Sequence, residues 1–211
     1  MIKMLLSKDK WKFMLHTVSH PADGFYEIRH RERGSVLVAL ILVVLFSVVW
    51  SINRISASFV VNDVDPRMVN SISELITVLL FFFLICVSNW SITCLMDGKG
   101  RLKDIIIAIG YSTVPATVCI LIGTLVSQFV SNDEAAFYTM ICGIGIAYTL
   151  FMMLIGIMTV HNFTLGKTII TIFLTLVALL IIVFILLLLV DLVNQVYSFL
   201  FSIYQELMFR A

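Results

Sequence analysis

Residues 35–52 read SVLVALILVVLFSVVWSI, a run of 18 residues without a charged side chain. An α-helix rises about 1.5 Å per residue, so this run approaches the ~20 residues needed to cross the hydrocarbon core of a bilayer. Four further apolar runs follow it, separated by short polar joints. We predict membrane spans at residues 35–52, 75–96, 105–129, 135–160 and 166–190. The sequence therefore predicts an all-α integral membrane protein with five transmembrane helices.

The composition supports one membrane domain rather than a soluble domain with an anchor. Hydrophobic residues make up 61% of the 211 residues and charged residues 13%, and the mean hydropathy is +1.07. A soluble domain is about half apolar and about one quarter charged. The first long apolar run begins only at Ser35, so we expect the opening segment to be retained rather than cleaved as a signal peptide. The four cysteines fall in apolar runs and are expected to be free thiols.

The distribution of Lys and Arg predicts the orientation. Seven lie before the first span, three in the joint after the second and one in the joint after the fourth, whereas the opposite side holds three. Cytoplasmic segments of membrane proteins carry the excess of positive charge. We therefore expect the N-terminus in the cytoplasm and the C-terminus outside.

Residues 1–34 are predicted to be a cytoplasmic basic amphipathic segment of two short interfacial helices, divided at Pro21. In the first helix Leu5, Leu6, Trp11, Met14, Leu15 and Val18 can share a broad apolar face. Such a helix can lie on anionic lipid, and a solvated tail is the alternative. The residues expected at the membrane surface are Lys8, Lys10, Lys12, Arg29, Arg31 and Arg33. Because the membrane accounts for this charge, no nucleic-acid binding is predicted.

The C-terminal segment, residues 191–211, is predicted to be an extracytoplasmic amphipathic helix. From Lys167 onward there is no Gly or Pro to end a helix, so a long C-terminal helix is expected. Its apolar residues alternate in spacings of three and four, which is typical of a helix packed along another helix. This partner-docking seam consists of Val193, Val196, Leu200, Ile203 and Leu207. Lying flat on the outer leaflet and docking a partner are the two fates left open.

Small residues and a proline indicate how the spans pack. Gly143, Gly145 and Gly156 allow close approach of helices in lipid, which favours helix packing over a substrate groove. Pro115 lies inside the third span. It predicts either a plain kink or a local break that exposes carbonyls, as in transporters with discontinuous helices.

The most informative motif joins the second and third spans, where residues 95–104 read LMDGKGRLKD. Asp97-Gly98 followed by Gly100 predicts a tight turn whose left-handed positions are supplied by glycine. Gly110-Tyr111 and Pro115 follow in the third span, and His161, Lys167 and Thr168 precede the fifth.

Together with the Pro21 to Ile28 segment, these motifs resemble the Yip domain family, small five-span proteins named for interacting with Ypt/Rab GTPases in eukaryotes. The bacterial branch is the closer likeness. The sequence has no long polar N-terminal region and no acidic motif before the first span, which argues against GTPase binding. The resemblance implies a non-enzymatic plasma-membrane protein, in some cases encoded beside transporter genes. The candidate functional residues that carry it are Asp97, Gly98, Gly100, Gly110, Tyr111, Pro115, His161 and Lys167.

No catalytic, cofactor or metal site is predicted. The sequence offers no nucleophile with a partner base, no phosphate-binding glycine loop, and no carboxylate or thiol to complete a metal site with His16 and His20. No ionisable residue is expected in the middle of a span, where it would indicate a transport path.

Three functions remain as hypotheses. The first is a scaffold or accessory subunit that binds other integral membrane proteins, and the second is a transport component, either a partner of ABC transporter subunits or a small carrier. The third is lipid or membrane-shape handling. A carrier should have a cavity lined by Asn89, Tyr111, Ser112 and Thr117, whereas a scaffold should have these groups bonded between packed helices.

Overall fold

The computed structural model describes residues 8–210, except for the side chains of Lys8, Leu207 and Arg210. Every regular element in this part of the chain is helical. In chain order the α-helices are α1 (Lys8–Ser19), α2 (Pro21–Arg31), α3 (Val36–Ser56), α4 (Ser71–Leu95), α5 (Leu102–Ser112), α6 (Val114–Ser127), α7 (Ala135–His161) and α8 (Leu165–Arg210). Short 3-10 turns at Pro66–Met68 and Asn132–Glu134 lie in the loops before α4 and α7.

Five segments are long and apolar enough to span a membrane, which confirms the predicted fold class. They are Val36–Ser56, Ser71–Leu95, Leu102–Ser127, Asn132–His161 and Leu165–Glu206. The second span begins four residues before the predicted Leu75, because the Asn70 side chain caps α4 by accepting the backbone N–H groups of Ile72 and Ser73. Capping, not hydropathy, sets that boundary.

The third span is the centre of the bundle. In its most apolar stretch of 18 residues, 61% of the residues are buried, compared with 11% in the corresponding stretch of the last span. The span consists of α5 and α6, which meet at Thr113. Backbone angles of Thr113 are helical, with φ −73° and ψ −15°, so the junction is a kink in one span. We find no strand or extended segment between the two halves.

The N-terminal helices pack on the bundle and belong to its core. Phe25 and Ile28 of α2 are fully buried, and Phe13 and Met14 of α1 lie in the same apolar cluster as residues of α3, α5 and α7. The Tyr148 hydroxyl on α7 donates to the carbonyl oxygen of Val18 at 2.8 Å. The apolar face of α1 therefore differs from the predicted one. Leu15 is 59% exposed, whereas Leu5 and Leu6 lie outside the described residues.

We call this end of the bundle the basic end. It comprises α1, α2, the α4–α5 turn (residues 96–101) and the α7–α8 turn (residues 162–164). The opposite end is held by polar contacts between spans. Asn53 donates to Thr124 at 2.8 Å and to Tyr138 at 3.0 Å, and Arg54 pairs with Glu74 at 2.5 Å.

Helix α8 is a single helix of 46 residues. Its first turns pack on α4 through a buried threonine stripe of Thr168, Thr171 and Thr175, and the Asn89 amide donates to the Thr175 hydroxyl at 3.2 Å. Residues 191–210 continue this helix, which agrees with the long C-terminal helix expected from the sequence. No Gly or Pro interrupts the backbone hydrogen bonds between the two parts.

Candidate functional site

Two helix ends meet at the basic end of the bundle. After α4, the Gly98 N–H donates to the Thr93 carbonyl at 2.7 Å, and after α7 the Phe163 N–H donates to the Met158 carbonyl at 3.0 Å. Each bond closes a Schellman turn, in which the residue after the helix is left-handed.

Those left-handed residues are Asp97 (φ 56°) and Asn162 (φ 58°), and no glycine among residues 8–210 has a positive φ. The prediction that glycine supplies the left-handed positions is therefore wrong. Asp and Asn tolerate this backbone region better than other residues with a side chain.

The motif glycines serve a close approach to His161 instead. A Cβ on Gly100 would lie 2.5 Å from Cε1 of His161, and one on Gly98 would lie 2.8 Å from its Nδ1. The Gly100 N–H donates to His161 Nδ1 at 3.2 Å. Because Nδ1 accepts, a neutral ring carries its proton on Nε2, which is buried and finds no partner among the described residues. The contacts of His161 with Gly98 and Gly100 therefore hold the end of α7 against the α4–α5 turn.

Lys167 extends this contact toward α8. The Phe163 ring stacks on His161 at 5.4 Å between centroids, and the Lys167 ammonium lies 4.4 Å from the centroid of the Phe163 ring. A cation over an aromatic face is attracted by the ring quadrupole. The structure therefore brings together Asp97, Gly98, Gly100, His161 and Lys167.

A buried carboxylate ties α2 to the third span. Asp104, in the first turn of α5, is 1% exposed and accepts from Arg101 Nε at 2.9 Å and from Arg29 Nη1 at 3.3 Å. It also accepts the Arg101 backbone N–H at 3.4 Å. Charge-assisted bonds of this kind compensate the desolvation of the carboxylate. Sequence reasoning placed Asp104 at a span end and missed this role, although an acidic residue in a first helical turn was a signal.

Glu32 forms a second ion pair group beside Asp104. Its carboxylate accepts from Arg101 Nη1 at 2.5 Å and from Lys103 Nζ at 3.1 Å. Hydrogen bonds from Lys103 and Arg101 lower the pKa of Glu32, and the bonds to Asp104 and Glu32 raise the pKa of Arg101. The ionised forms are therefore favoured in the fold.

Gly110 and Tyr111 lie deeper in the bundle and hold the start of α3. A Cβ on Gly110 would lie 2.7 Å from the Ala39 Cβ, so α3 and α5 touch there. Tyr111 is fully buried, and its hydroxyl oxygen accepts the Ser35 N–H at 3.2 Å. Both residues are therefore structural contacts between the first and third spans.

Pro115 lies further along the third span, away from the basic end. Proline cannot donate, and the Ala116 N–H beside it donates to the Thr149 hydroxyl on α7 at 3.1 Å. The Thr149 hydroxyl of the neighbouring helix thus provides a hydrogen-bond acceptor for the Ala116 N–H at the kink.

The three packing glycines of α7 behave differently. A Cβ on Gly145 would collide with Cβ of Cys119 and lie 3.2 Å from the Pro115 carbonyl oxygen, and one on Gly156 would lie 3.3 Å from Ala108. A Cβ on Gly143 would meet nothing within 4 Å. Gly143 therefore makes no close packing contact with the described residues. The difference arises because Gly143 and Gly145 are two positions apart on α7 and so point in directions about 200° apart around the helix axis.

The six basic residues predicted at the membrane surface are mostly paired within the chain. Lys10 donates to the Arg33 carbonyl at 2.6 Å, Arg29 pairs with Asp104, and Arg31 and Arg33 pair with Glu27 at 3.1 and 2.7 Å. Lys12 is exposed, and the side chain of Lys8 lies outside the described residues. These charges therefore also hold the N-terminal helices.

Comparison with known proteins gives one finding that decides the family. The family model described as the Yip1 domain matches residues 15–204, which is nearly the whole chain. The chain belongs to the Yip1 domain family. No curated protein and no solved structure shows a significant match.

This membership confirms the resemblance drawn from the sequence motifs. The Yip1 match begins within α1 and ends within α8, so it includes the N-terminal helices as well as all five spans. The packing of Phe25 and Asp104 gives a physical reason for that extent: in this Yip1 domain, α2 is part of the folded unit.

Among the cavities at the basic end of the Yip1 domain, two have walls that reach the spans. One of about 540 Å³ lies between the loop before α3 and the start of α5, and one of about 350 Å³ lies beside Arg29, His30 and Lys99. Sequence reasoning missed both cavities, because each is formed by residues far apart in the chain. Their cationic rims favour anions rather than metal ions.

Proposed function

We propose that this Yip1-domain protein is a non-enzymatic scaffold or accessory subunit that binds another integral membrane protein along the C-terminal part of α8. The observation that carries the proposal is the exposure of α8. Every residue from Phe184 to Glu206 is exposed on the single chain, and most of them are apolar. Exposed apolar surfaces of this extent mark lipid or protein interaction sites.

The length of α8 indicates that lipid alone does not cover this surface. Its 46 residues correspond to about 69 Å, more than twice the ~30 Å hydrocarbon thickness. Even with a strong tilt, a helix of that length extends beyond the hydrocarbon core. A partner helix that covers the exposed seam would remove its apolar side chains from water.

The seam lies on one side of α8, and a polar stripe of Asn194, Ser198, Ser202 and Gln205 lies on the other. Val193, Val196, Leu200 and Ile203 are 64%, 54%, 58% and 41% exposed and recur at spacings of three and four. The Leu207 side chain, the last predicted member, lies outside the described residues. A seam of this kind fits the knobs-into-holes packing of one helix along another.

The interior polar groups support a scaffold rather than a carrier. The Tyr111 hydroxyl accepts the Ser35 N–H from the start of the first span, as expected of a scaffold. Ser112 and Thr117 are buried and bond within their own span, to the Ala108 and Thr113 carbonyls one turn back. The Asn89 amide bonds to Thr175 across helices, although Asn89 Oδ1 finds no partner within residues 8–210. The cavities of about 540, 350 and 340 Å³ in the described chain are lined by other residues.

We further propose the plasma membrane as the location, with the basic end in the cytoplasm, and ATP-driven (ABC) transporter subunits as the partners. The eleven Lys and Arg predicted on one side, against three on the other, support the orientation. Tags at the two termini should then be accessible from opposite faces of intact cells. Equal accessibility from one face would contradict the orientation.

The partner is tested by affinity purification from native membranes in mild detergent, with two matched variants. Leu200→Glu places a charge on the seam, whereas Ser198→Glu places the same charge about 200° away, on the polar side of α8. Wild type and Ser198→Glu should co-purify transporter subunits, and Leu200→Glu should lose them. Recovery of the chain alone from wild type, or equal recovery of subunits with both variants, would refute the proposal.

A further inference from the structure

The larger cavity at the basic end has two kinds of wall. Its apolar wall comes from the first turns of two spans, and its polar rim comes from the N-terminal helices and the start of α5. The apolar residues are Ile28, Val36, Leu37, Leu40 and Ile107, and the polar residues are Lys10, Glu32, Ser35, Lys103 and Asp104. Its volume of about 540 Å³ lies within the range of ~300–1,000 Å³ typical of small-molecule sites.

The rim carries an excess of positive charge. Lys10 and Lys103 line the cavity together with the carboxylates of Glu32 and Asp104. Two further cations, Arg29 and Arg101, bind these carboxylates from outside the cavity lining. Asp104 is already bound by Arg29 and Arg101, and Glu32 is shared by Arg101 and Lys103. The group of four cations and two carboxylates therefore has a net charge of +2, and within it only Lys10 has no carboxylate partner. An anion at the rim would neutralise this excess.

Ser35 gives independent support for a polar ligand. It lines the cavity and is only 5% exposed, and its side-chain oxygen has no hydrogen-bond partner among the described residues. Its backbone N–H is already used by the Tyr111 hydroxyl. A buried hydroxyl without a partner is unfavourable. The oxygen is closed off from solvent in this rotamer, so a ligand oxygen in the cavity would bond to it after rotation about χ1.

We propose that this cavity binds one anionic phospholipid, with its phosphate between Lys10 and Lys103 and the start of an acyl chain along Leu37, Leu40 and Ile107. The place in the fold fits this occupant. Apart from Ile28 of α2, the apolar wall belongs to the first turns of the spanning helices α3 and α5. Lys103 lies in the first turn of α5, and Lys10 of α1 reaches the loop before α3 through its bond to the Arg33 carbonyl. Basic pockets between transmembrane helices are known to hold anionic head groups.

Two variants test the two halves of the site. Lys103→Gln removes one cation, and Glu32 keeps its partner Arg101 at 2.5 Å, so the local fold is retained. Leu40→Trp fills the apolar wall from a partly buried position. The matched controls are Lys12→Gln, an exposed lysine of α1 that does not line this cavity, and Leu45→Trp, a leucine of α3 that is 46% exposed.

Each full-length protein is exchanged into nanodiscs of equal parts phosphatidylglycerol and phosphatidylcholine, released in mild detergent and analysed by native mass spectrometry. The wild type and both controls should retain one phosphatidylglycerol in preference to phosphatidylcholine. The preference should fall about fivefold in Lys103→Gln, since one lysine near a membrane surface contributes roughly 1 kcal/mol. Leu40→Trp should retain neither lipid.

Three outcomes would overturn the proposal. One is equal retention of the two lipids by the wild type, and another is unchanged retention in Leu40→Trp with native helicity and melting temperature. The third is release of the lipid by inorganic phosphate or glycerophosphate, which would show a free-anion site without a chain-binding wall. Circular dichroism and size-exclusion chromatography of all variants separate loss of the lipid from loss of the fold.

Discussion

Gly143 and Gly145 of α7 form a natural pair for measuring how closely two spans pack. Replacing either by alanine adds one methyl group to the same helix, so the change in helix propensity, about 1 kcal/mol in favour of alanine, is common to both. The environments differ. The new methyl at 145 meets Cys119 and the Pro115 carbonyl, whereas the methyl at 143 meets nothing within 4 Å.

Overpacking of a well-packed interior destabilises a protein by about 1–3 kcal/mol. Because the propensity effect cancels, Gly145→Ala should be less stable than Gly143→Ala by that amount. Gly143→Ala should match or exceed the wild type. The free energy of unfolding is measured in mild detergent by steric trapping or by a thermal shift of the purified protein. Equal stability of the two variants would show that α6 and α7 do not approach closely at Gly145.

Three further predictions concern the ion pairs and the kink. Asp104→Asn should lower the free energy of unfolding by about 1–3 kcal/mol, which is less than for a fully buried ion pair because Arg29 reaches water. The control Asp97→Asn should leave the free energy of unfolding unchanged, since Asn also tolerates the left-handed backbone. Equal effects of the two variants in urea unfolding would contradict the role of the Asp104 ion pairs. The hydrogen bonds from Lys103 and Arg101 that lower the pKa of Glu32 stabilise the fold fully at pH values above the ordinary pKa of 4.5. This stabilisation is lost as the pH falls through the lower pKa of Glu32 in the folded state. Melting curves at about pH 7 and about pH 3 should therefore show a smaller loss in Glu32→Gln than in the wild type, and a parallel loss would argue against the pair. Thr149→Val should destabilise the kink by about 1 kcal/mol, and a neutral result in the same thermal assay would mean that the N–H after the proline finds another acceptor.

The fold class could be predicted from the sequence because the bilayer imposes one length on every span. Uninterrupted runs such as residues 35–52 carry that length directly. The boundaries were less accurate where polar side chains decide them. Asn70 starts α4 ahead of its apolar run. The absence of Gly and Pro after Lys167 indicated the long helix that the structure describes over Leu165–Arg210.

The sequence motifs selected residues that the fold brings into contact, but they did not predict the geometry of that contact. The motifs selected Gly98, Gly100 and His161, yet only the fold shows that the glycines make room for the imidazole rather than provide left-handed backbone. A short motif identifies a few neighbouring residues but not the residue that they contact in the fold. For Gly100 that residue is His161, which lies 61 residues further along the chain. The same reason explains Gly143 and Gly145, since helical periodicity does not identify the neighbour of each face.

The docking of α2 on later spans has a consequence for biosynthesis. Phe25 and Arg29 leave the ribosome before any span does, but their binding surface is made of α5 and α7, which begin at Leu102 and Ala135. Because a chain is synthesised from its N-terminus at roughly 5–20 residues per second, α2 must wait for several seconds with its apolar side uncovered. During that interval the lipid surface or a chaperone must keep the apolar side chains of α2 away from water.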